Sequence, residues 1–311
     1  MSEAHKPPVV AALDIGGTKT AAALVTRHGE VVHRATAPTP GRAGATAILD
    51  TAAGLVDRLR GRATGTTVRG LGVGSAGVID HRTGRVLSAT DALAGWAGTD
   101  LRGQLRDLLG LPVAVINDVH AHALGETRHG SAAGYETTLF VAVGTGIGAS
   151  FVVGGTVLAG AHSVAGHAGH QPSPYAGRLP CTCGGQGHLE AIASGPGLVQ
   201  EYVRRAGRPV DDLRLVAARA ADGDPTARKV VLLGGTAVGS AVGGLVNVLD
   251  PAAVVIGGGV AGLGDLWWQA LLDAVRRETL PSLDDVPVLA STLGSDAPLV
   301  GAASLAWEGT A

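Results

Sequence analysis

Aromatic residues are scarce in this chain of 311 residues, which holds two Phe, three Tyr and four Trp. Its interior must therefore be filled by Val, Leu, Ala and Ile, a composition that suits the buried strands of an α/β protein. Cysteine is almost missing as well. Cys181 and Cys183 are the only two, one residue apart, which is a poor spacing for a structural disulfide and a good one for a shared metal. There is no excess of positive charge: 24 Lys and Arg face 26 Asp and Glu, for a net charge of -2 and a pI near 6.6. That balance offers no basic surface for counterion release, so no nucleic-acid partner is expected. Long apolar runs are lacking too. No window gives about 20 apolar residues without Gly or charge, and the opening MSEAHKPPVVAALDIGG has no basic segment leading into an apolar stretch, so neither a membrane nor a leader is expected. The expected location is cytoplasmic. With 46% hydrophobic and 16% charged residues, the chain is too long for one small domain and predicts two lobes.

What the chain does have is glycine, 49 residues of it, falling at turns between apolar runs rather than in a linker or tail. Val9 to Leu13 reads as a strand ending in Asp14; IGGT turns, and Thr20 to Val25 returns. A second turn at His28-Gly29-Glu30 leads to Val31 to Thr36, so three sequential strands form an antiparallel meander. Ile48, Leu49, Ala52, Leu55, Val56 and Leu59 recur at helical spacing and predict a helix over Thr46 to Arg60. Leu71 to Gly74 and Val113 to Ile116 read as buried strands. Between them lies a helix striped by Leu101, Leu105, Leu108 and Leu109 and capped by Thr99.

The second half repeats this opening. Thr138 to Val143 is a strand, GTGIG turns, Ala149 to Val153 returns, and Thr156 to Ala159 follows a Gly-Gly turn, which reads as an internal duplication. Two lobes that each open with strand, Gly/Thr hairpin and strand would set two phosphate-binding turns across a central cleft. That is the two-lobed, actin-like architecture shared with hexokinases, a duplicated ribonuclease H-like fold. From Glu190 to about Asp250 the pattern is mostly helical; Ala253 to Ile256 is a strand, and Leu299 to Trp307 a closing helix. The expected division puts 1–117 with about 296–311 in a smaller lobe and 118–295 in a larger one.

In DIGGTK, Gly16 and Gly17 expose backbone N–H groups, Thr18 adds a hydroxyl, Lys19 adds a charge for phosphate, and Asp14 offers a carboxylate for hydrated Mg2+. Each feature alone also fits a plain hairpin. Gly144, Thr145 and Gly146 form the matching turn of the second half, and Gly258 and Gly259, after the strand ending at Ile256, would let adenine and ribose approach the backbone. Asn117-Asp118 closes a strand and opens an Ala-rich helix. Phosphoryl transfer to a hydroxyl needs a base, and Asp118 is the candidate, with Asn117 as a partner for ring hydroxyls, although such a pair is also a common helix cap. Farther on, His170, Cys181, Cys183 and His188 can supply four tetrahedral zinc ligands around the patternless stretch from Pro172 to Pro180. Glu190, two residues beyond, would be held by that metal against the sugar.

Together, DIGGTK, GVGSAGVID at 72–80, NDVHAHALGE, GTGIG, AGHAGH, CTCGGQGHLEAIASG and VVIGGGV resemble, in order and over nearly the whole chain, the family named for repressors, open reading frames and kinases. The resemblance implies a sugar kinase using ATP and Mg2+, with Asp118 as base, Gly77, Asn117, His170 and Glu190 near the sugar, a structural Zn2+ and a homodimer. Two departures stand out. Glucokinases of the family carry Glu where this chain has His167, whereas bacterial N-acetylmannosamine kinases carry AGHxGH followed by EAIASG, as here; the resemblance therefore points to 6-phosphorylation of N-acetylmannosamine, with glucose or another hexose or N-acetylhexosamine as the alternative. His188 stands where the family has a third zinc cysteine, and imidazole can replace thiolate. A sugar-sensing regulator is the competing reading, but only 13 residues precede Asp14, too few for a helix-turn-helix.

Overall fold

The short strands and Gly-rich turns of the sequence fold into two five-stranded sheets with helices packed on them. The protein is described by a computed structural model for residues 7–63 and 65–309, so the opening residues 1–6, part of the stretch read above for a leader, lie outside it. In chain order the elements are β1 (Val9–Ile15), β2 (Lys19–Val25), β3 (Val31–Pro38), α1 (Ala45–Arg62), β4 (Val68–Ser75), β5 (Val78–Ile79), β6 (Val86–Ser88), α2 (Leu101–Leu109), β7 (Val113–Asn117) and α3 (Asp118–His129). They continue with β8 (Thr137–Val143), β9 (Ile147–Val153), β10 (Thr156–Val157), α4 (Leu189–Ala193), α5 (Gly195–Ala206), α6 (Leu213–Ala221) and α7 (Pro225–Leu249). The last are β11 (Ala253–Gly257), α8 (Asp265–Glu278), β12 (Val288–Ala290) and α9 (Ala297–Glu308), with four single 3-10 turns between elements.

The first sheet runs β3-β2-β1-β4-β7 and the second β10-β9-β8-β11-β12, the same pattern of a meander followed by parallel strands. The duplication read from the two Gly/Thr hairpins is thus a duplication of sheet order. Strand β3 alternates half-buried and exposed residues, as an edge strand does, while β1, between β2 and β4, is buried along almost its whole length. Alternate residues of β1, Val9, Ala11, Leu13 and Ile15, share a core with Ile48, Leu55 and Leu59 of α1. Leu139, Val141 and Val143 of β8 do the same with Val238, Val242 and Val246 of α7 and Leu271 of α8.

The chain divides into two compact units. One comprises the residues up to Gly134, Val152–Ala165 and those from Thr292 on; the other comprises Tyr135–Phe151 and Gly166–Ser291. The first unit therefore runs past the expected break after 117, because α3 packs along α9 and against β4 rather than opening the second unit. The small residues have a use beyond turns here. A Cβ on Gly125 of α3 would strike the Ala297 carbonyl, and one on Gly301 of α9 the Ala121 carbonyl, so both helix backbones approach more closely than any side chain permits. The glycine-rich stretch 234–245 lies on α7, and its Gly235 and Gly239 meet Trp267 and Leu271 of α8 in the same way. Among the described residues, α7 alone is long and apolar enough by composition to cross a membrane, but more than half of that stretch is buried inside the protein.

Two local expectations are corrected. The cap of α2 is Asp100, whose carboxylate accepts from Gly103 N at 3.0 Å, not Thr99, whose hydroxyl donates back to Gly95 O at 3.4 Å. Leu108, assigned to the apolar stripe of that helix, is half exposed, while Leu101, Leu105 and Leu109 are buried.

Candidate active site

In the first unit, the parallel strands β1, β4 and β7 end together, with Ile15 level with Ser75 and Ser75 level with Asn117. That register carries Asp14 and Asp118 to one carboxyl edge of the sheet, where ligand sites of parallel α/β sheets are found. The two carboxylates act on each other. Burial, and next the Asp118 carboxylate, raise Asp14 to about 7, with Lys19 pulling the other way. Two acids gathered at one edge repel each other beyond what Lys19 offsets, and a divalent cation or a proton relieves that repulsion.

Asn117 holds Asp118 in place. Its Nδ2 donates to Asp118 Oδ1 at 2.8 Å and to Gly77 O at 3.0 Å, and its Oδ1 accepts from Val119 N and His120 N at 2.9 and 3.2 Å as the cap of α3. Both amide hydrogens and both oxygen lone pairs are thereby used, so Asn117 serves here as a brace for Asp118. Gly77 must be glycine: its φ is 104° and a Cβ would sit 2.6 Å from Ser88 O. The turn of Gly16, Gly17, Thr18 and Lys19 is closed by Gly16 N donating to Lys19 O at 3.1 Å, and it leaves Thr18 and Lys19 exposed.

The second unit holds a cavity of about 710 Å³. Gly144 and Thr145 of the second hairpin turn line one part of it, and Gly259 and Val260 after β11 line another. Gly258 is not among the lining residues, but its φ of 89° turns the chain there, and a Cβ would clash with the Val143 carbonyl. Gly146 closes the turn through Gly144 N to Gly146 O at 2.9 Å and also stands outside the lining. Sequence reasoning missed the remaining wall, which includes Gly195, Pro196, Gln200, Asp211 and Arg214. One signal was available. Ser194-Gly195-Pro196 breaks α4 from α5, with Ser194 Oγ accepting from Gly197 N at 3.1 Å and Gly195 N donating to Gly144 O at 2.8 Å, which ties the break to the second hairpin turn.

In the same unit, ligand atoms of His170, Cys181, Cys183 and His188 lie within 4.8 Å of one another. Cys181 Sγ is 3.5 Å from His170 Nδ1 and Cys183 Sγ 3.3 Å from His188 Nδ1. Burial pushes the Cys181 thiol up, which a bound cation would reverse by taking the thiolate. Two sulfurs and two imidazoles converging at this spacing fit a tetrahedral zinc ion. His167 is exposed, and its ring stacks on that of His170 with centroids 6.0 Å apart. Glu190 near the start of α4 accepts from Ile147 N at 2.9 Å and from Thr182 Oγ1 at 2.7 Å.

Comparison with known proteins gives this arrangement its relatives. The glucokinase of Halalkalibacterium halodurans is 33% identical over 305 residues, covering 93% of this chain and 92% of that protein. The N-acetylmannosamine kinase of Escherichia coli is 34% identical over 297 residues, covering 95% and 97%. A crystal structure of a ROK family glucokinase from Streptomyces griseus, in complex with glucose and AMPPNP, superposes with a TM-score of 0.83 at 31% identity over 97% of this chain and all of that one. The fold is that of the actin-like ATPases to which these kinases belong. Residues 10–308 match the ROK family as a whole, and the chain is a member of that family.

Proposed function

We propose that this protein is an ATP-dependent sugar kinase that transfers the γ-phosphoryl group to the 6-hydroxyl of N-acetylmannosamine. The observation that carries the kinase reading is Asp118, held by Asn117 at the strand edge beside Asp14. Asp118 takes the proton of the 6-hydroxyl as its oxygen attacks the γ-phosphorus, and the bond to the β-phosphate oxygen breaks to release ADP. Asp14 holds Mg2+, which supplies neutralisation of the phosphate charge. Gly17, Thr18 and Lys19 of the first hairpin turn, which Gly16 closes, offer N–H, hydroxyl and ammonium donors to phosphate oxygens; in the second hairpin turn, which Gly144 closes, Thr145 and Gly146 offer N–H and hydroxyl donors. The 710 Å³ cavity beside Gly259 suits a nucleoside in size, with Gly258 shaping its floor. His170, Cys181, Cys183 and His188 hold zinc, which fixes the loop and takes no part in transfer.

The choice of sugar rests on His167, Glu190 and, by resemblance, Gly77 and His170. An imidazole at 167 removes the charged acceptor that glucokinases of the family place near C2 of the sugar and leaves room for an acetamido group. A glucokinase is the second reading, favoured by the glucokinase relative at 33% identity. The test is kcat/KM for ATP-dependent phosphorylation of N-acetylmannosamine, N-acetylglucosamine, glucose and mannose by the zinc-loaded protein. A preference for N-acetylmannosamine supports the proposal; a preference for glucose assigns His167 no part in sugar choice and establishes the second reading.

A further inference from the structure

Thr182 stands between the two cysteines of the metal cluster, and its hydroxyl, close to the Cys181 thiol, donates to a carboxylate outside the cluster. Its Oγ1 donates to Glu190 Oε1 at 2.7 Å, while Glu190 Oε2 accepts from Ile147 N at 2.9 Å. The space around that carboxylate is kept open by two glycines. A Cβ on Gly146 would lie 2.7 Å from Glu190 Oε2 and one on Gly169 3.2 Å from it. One carboxylate thus joins the second hairpin turn, the turn that carries His167 and His170, and the loop between the cysteines. A carboxylate has about four acceptor sites, so two are taken by the protein and two remain for hydroxyl donors.

We propose that Thr182 is a positioning residue: its hydroxyl fixes the rotation of the Glu190 carboxylate, so that the two remaining acceptor sites face neighbouring hydroxyls of the sugar ring. The inference rests on the sugar-kinase reading above. The metal cluster gives the loop its shape, and Thr182 is the atom-level link by which that shape reaches the sugar. Without the hydroxyl, Glu190 keeps only its bond to Ile147 N and can swing about it, and the sugar must then order the carboxylate itself. A valine at 182 keeps the shape of threonine and removes the donor; a serine keeps the donor and removes a methyl.

The experiment compares the unaltered protein with Thr182→Val and Thr182→Ser. Zinc content, sugar affinity by calorimetry without nucleotide, and KM for sugar and for ATP are measured with the best sugar of the four-sugar panel. The expected result is that Thr182→Val keeps its full zinc content and ATP KM, while sugar Kd and KM rise about tenfold, the loss of one charge-assisted hydrogen bond. Thr182→Ser should return both to within about twofold of the original. Unchanged sugar Kd in Thr182→Val overturns the proposal, as does a fall in zinc content that accounts for the lost affinity. If the unaltered protein binds none of the four sugars, the sugar-kinase reading fails first, and the proposal with it.

Discussion

Helix α3 carries a carboxylate near each end, and the two differ in their neighbours: one faces a second acid, the other a ring of neutral donors. At its start, Asp118 sits beside Asp14, which burial and Asp118 together raise to about 7. Near its end, Glu126 is fully buried and wrapped in donors: Ser131 N and Leu293 N at 2.9 Å, Ser131 Oγ at 3.1 Å, Thr292 N at 3.2 Å and Thr292 Oγ1 at 3.3 Å. Those donors come from the turn after α3 and the segment that leads into α9, near two of the four places where the chain passes from one unit to the other, after Gly134 and before Thr292. A buried acid is therefore not in itself a mark of function. Glu126 is held by donors of its own unit, whereas Asp14 and Asp118 meet as two like charges with Lys19 as the opposing charge on Asp14, a condition that a cation or a proton relieves. His122, one turn before Glu126, belongs to the satisfied end as well: burial lowers it to about 4 against the pull of Glu126, so it is neutral near pH 7.

The sharpest way to break this contrast is to neutralise the start of the helix. Asp118→Asn should lower kcat by about two to four orders of magnitude, the range for a missing general base, and leave sugar affinity within a few-fold. Steady-state kinetics and calorimetry on the same preparation read both. If kcat survives, the base lies elsewhere and the acid at the start of α3 has another use. The satisfied end should respond in the opposite currency. Glu126→Ala strands at least five donors and should destabilise the protein by roughly 3 kcal/mol or more, read as a lower midpoint in urea, with a smaller loss for Glu126→Gln, whose amide oxygen can still accept. A change within about 0.5 kcal/mol for the alanine variant would mean that the donors find water, and that Glu126 does not hold the turn after α3 to the segment before α9.

Much of this was legible in the sequence, and what was not has a common cause. The meander, α1, β4, β7 and the repeat in the second half follow from apolar runs between Gly turns, because strand order in a duplicated α/β unit is set by local pattern. The grouping of His170, Cys181, Cys183 and His188 was legible because three of the four are close in sequence and chemically rare. Asp118 was visible as a strand-end acid. Asn117 was read as a partner for ring hydroxyls, and only the structure shows it bonded to Gly77, forty residues away. The wall of Asp211 and Arg214, the link from Thr182 to Glu190 and the clamp on Glu126 all depend on partners distant in the chain or on side-chain direction, and a Glu after Gly125 looks like any helical Glu. Thr99 and Asp100 were two cap-forming residues side by side, and pattern alone does not choose between them.

The finest test of the contrast is a pH series on Asp14. A carboxyl group raised from 3.8 to about 7 in the folded chain holds a proton there that the unfolded chain has released. Its contribution favours folding below the unfolded value near 4 and is lost as pH rises toward 7, by up to about 1.4 kcal/mol per pH unit. Asp14→Asn removes that dependence. Without Mg2+ or nucleotide, the variant should therefore gain stability relative to the parent as pH rises from 4 to 7, and hold the gain constant above 7, while losing turnover. Thermal midpoints of the two proteins, taken as a difference so that other titrating groups cancel, measure this directly. Added Mg2+ should shrink the difference at pH 8 by favouring the charged Asp14 of the parent. Parallel midpoints across the whole range would show that Asp14 on β1 carries no raised proton affinity in the folded chain, and the contrast between the pair Asp14 and Asp118 and the ring of donors about Glu126 would fail.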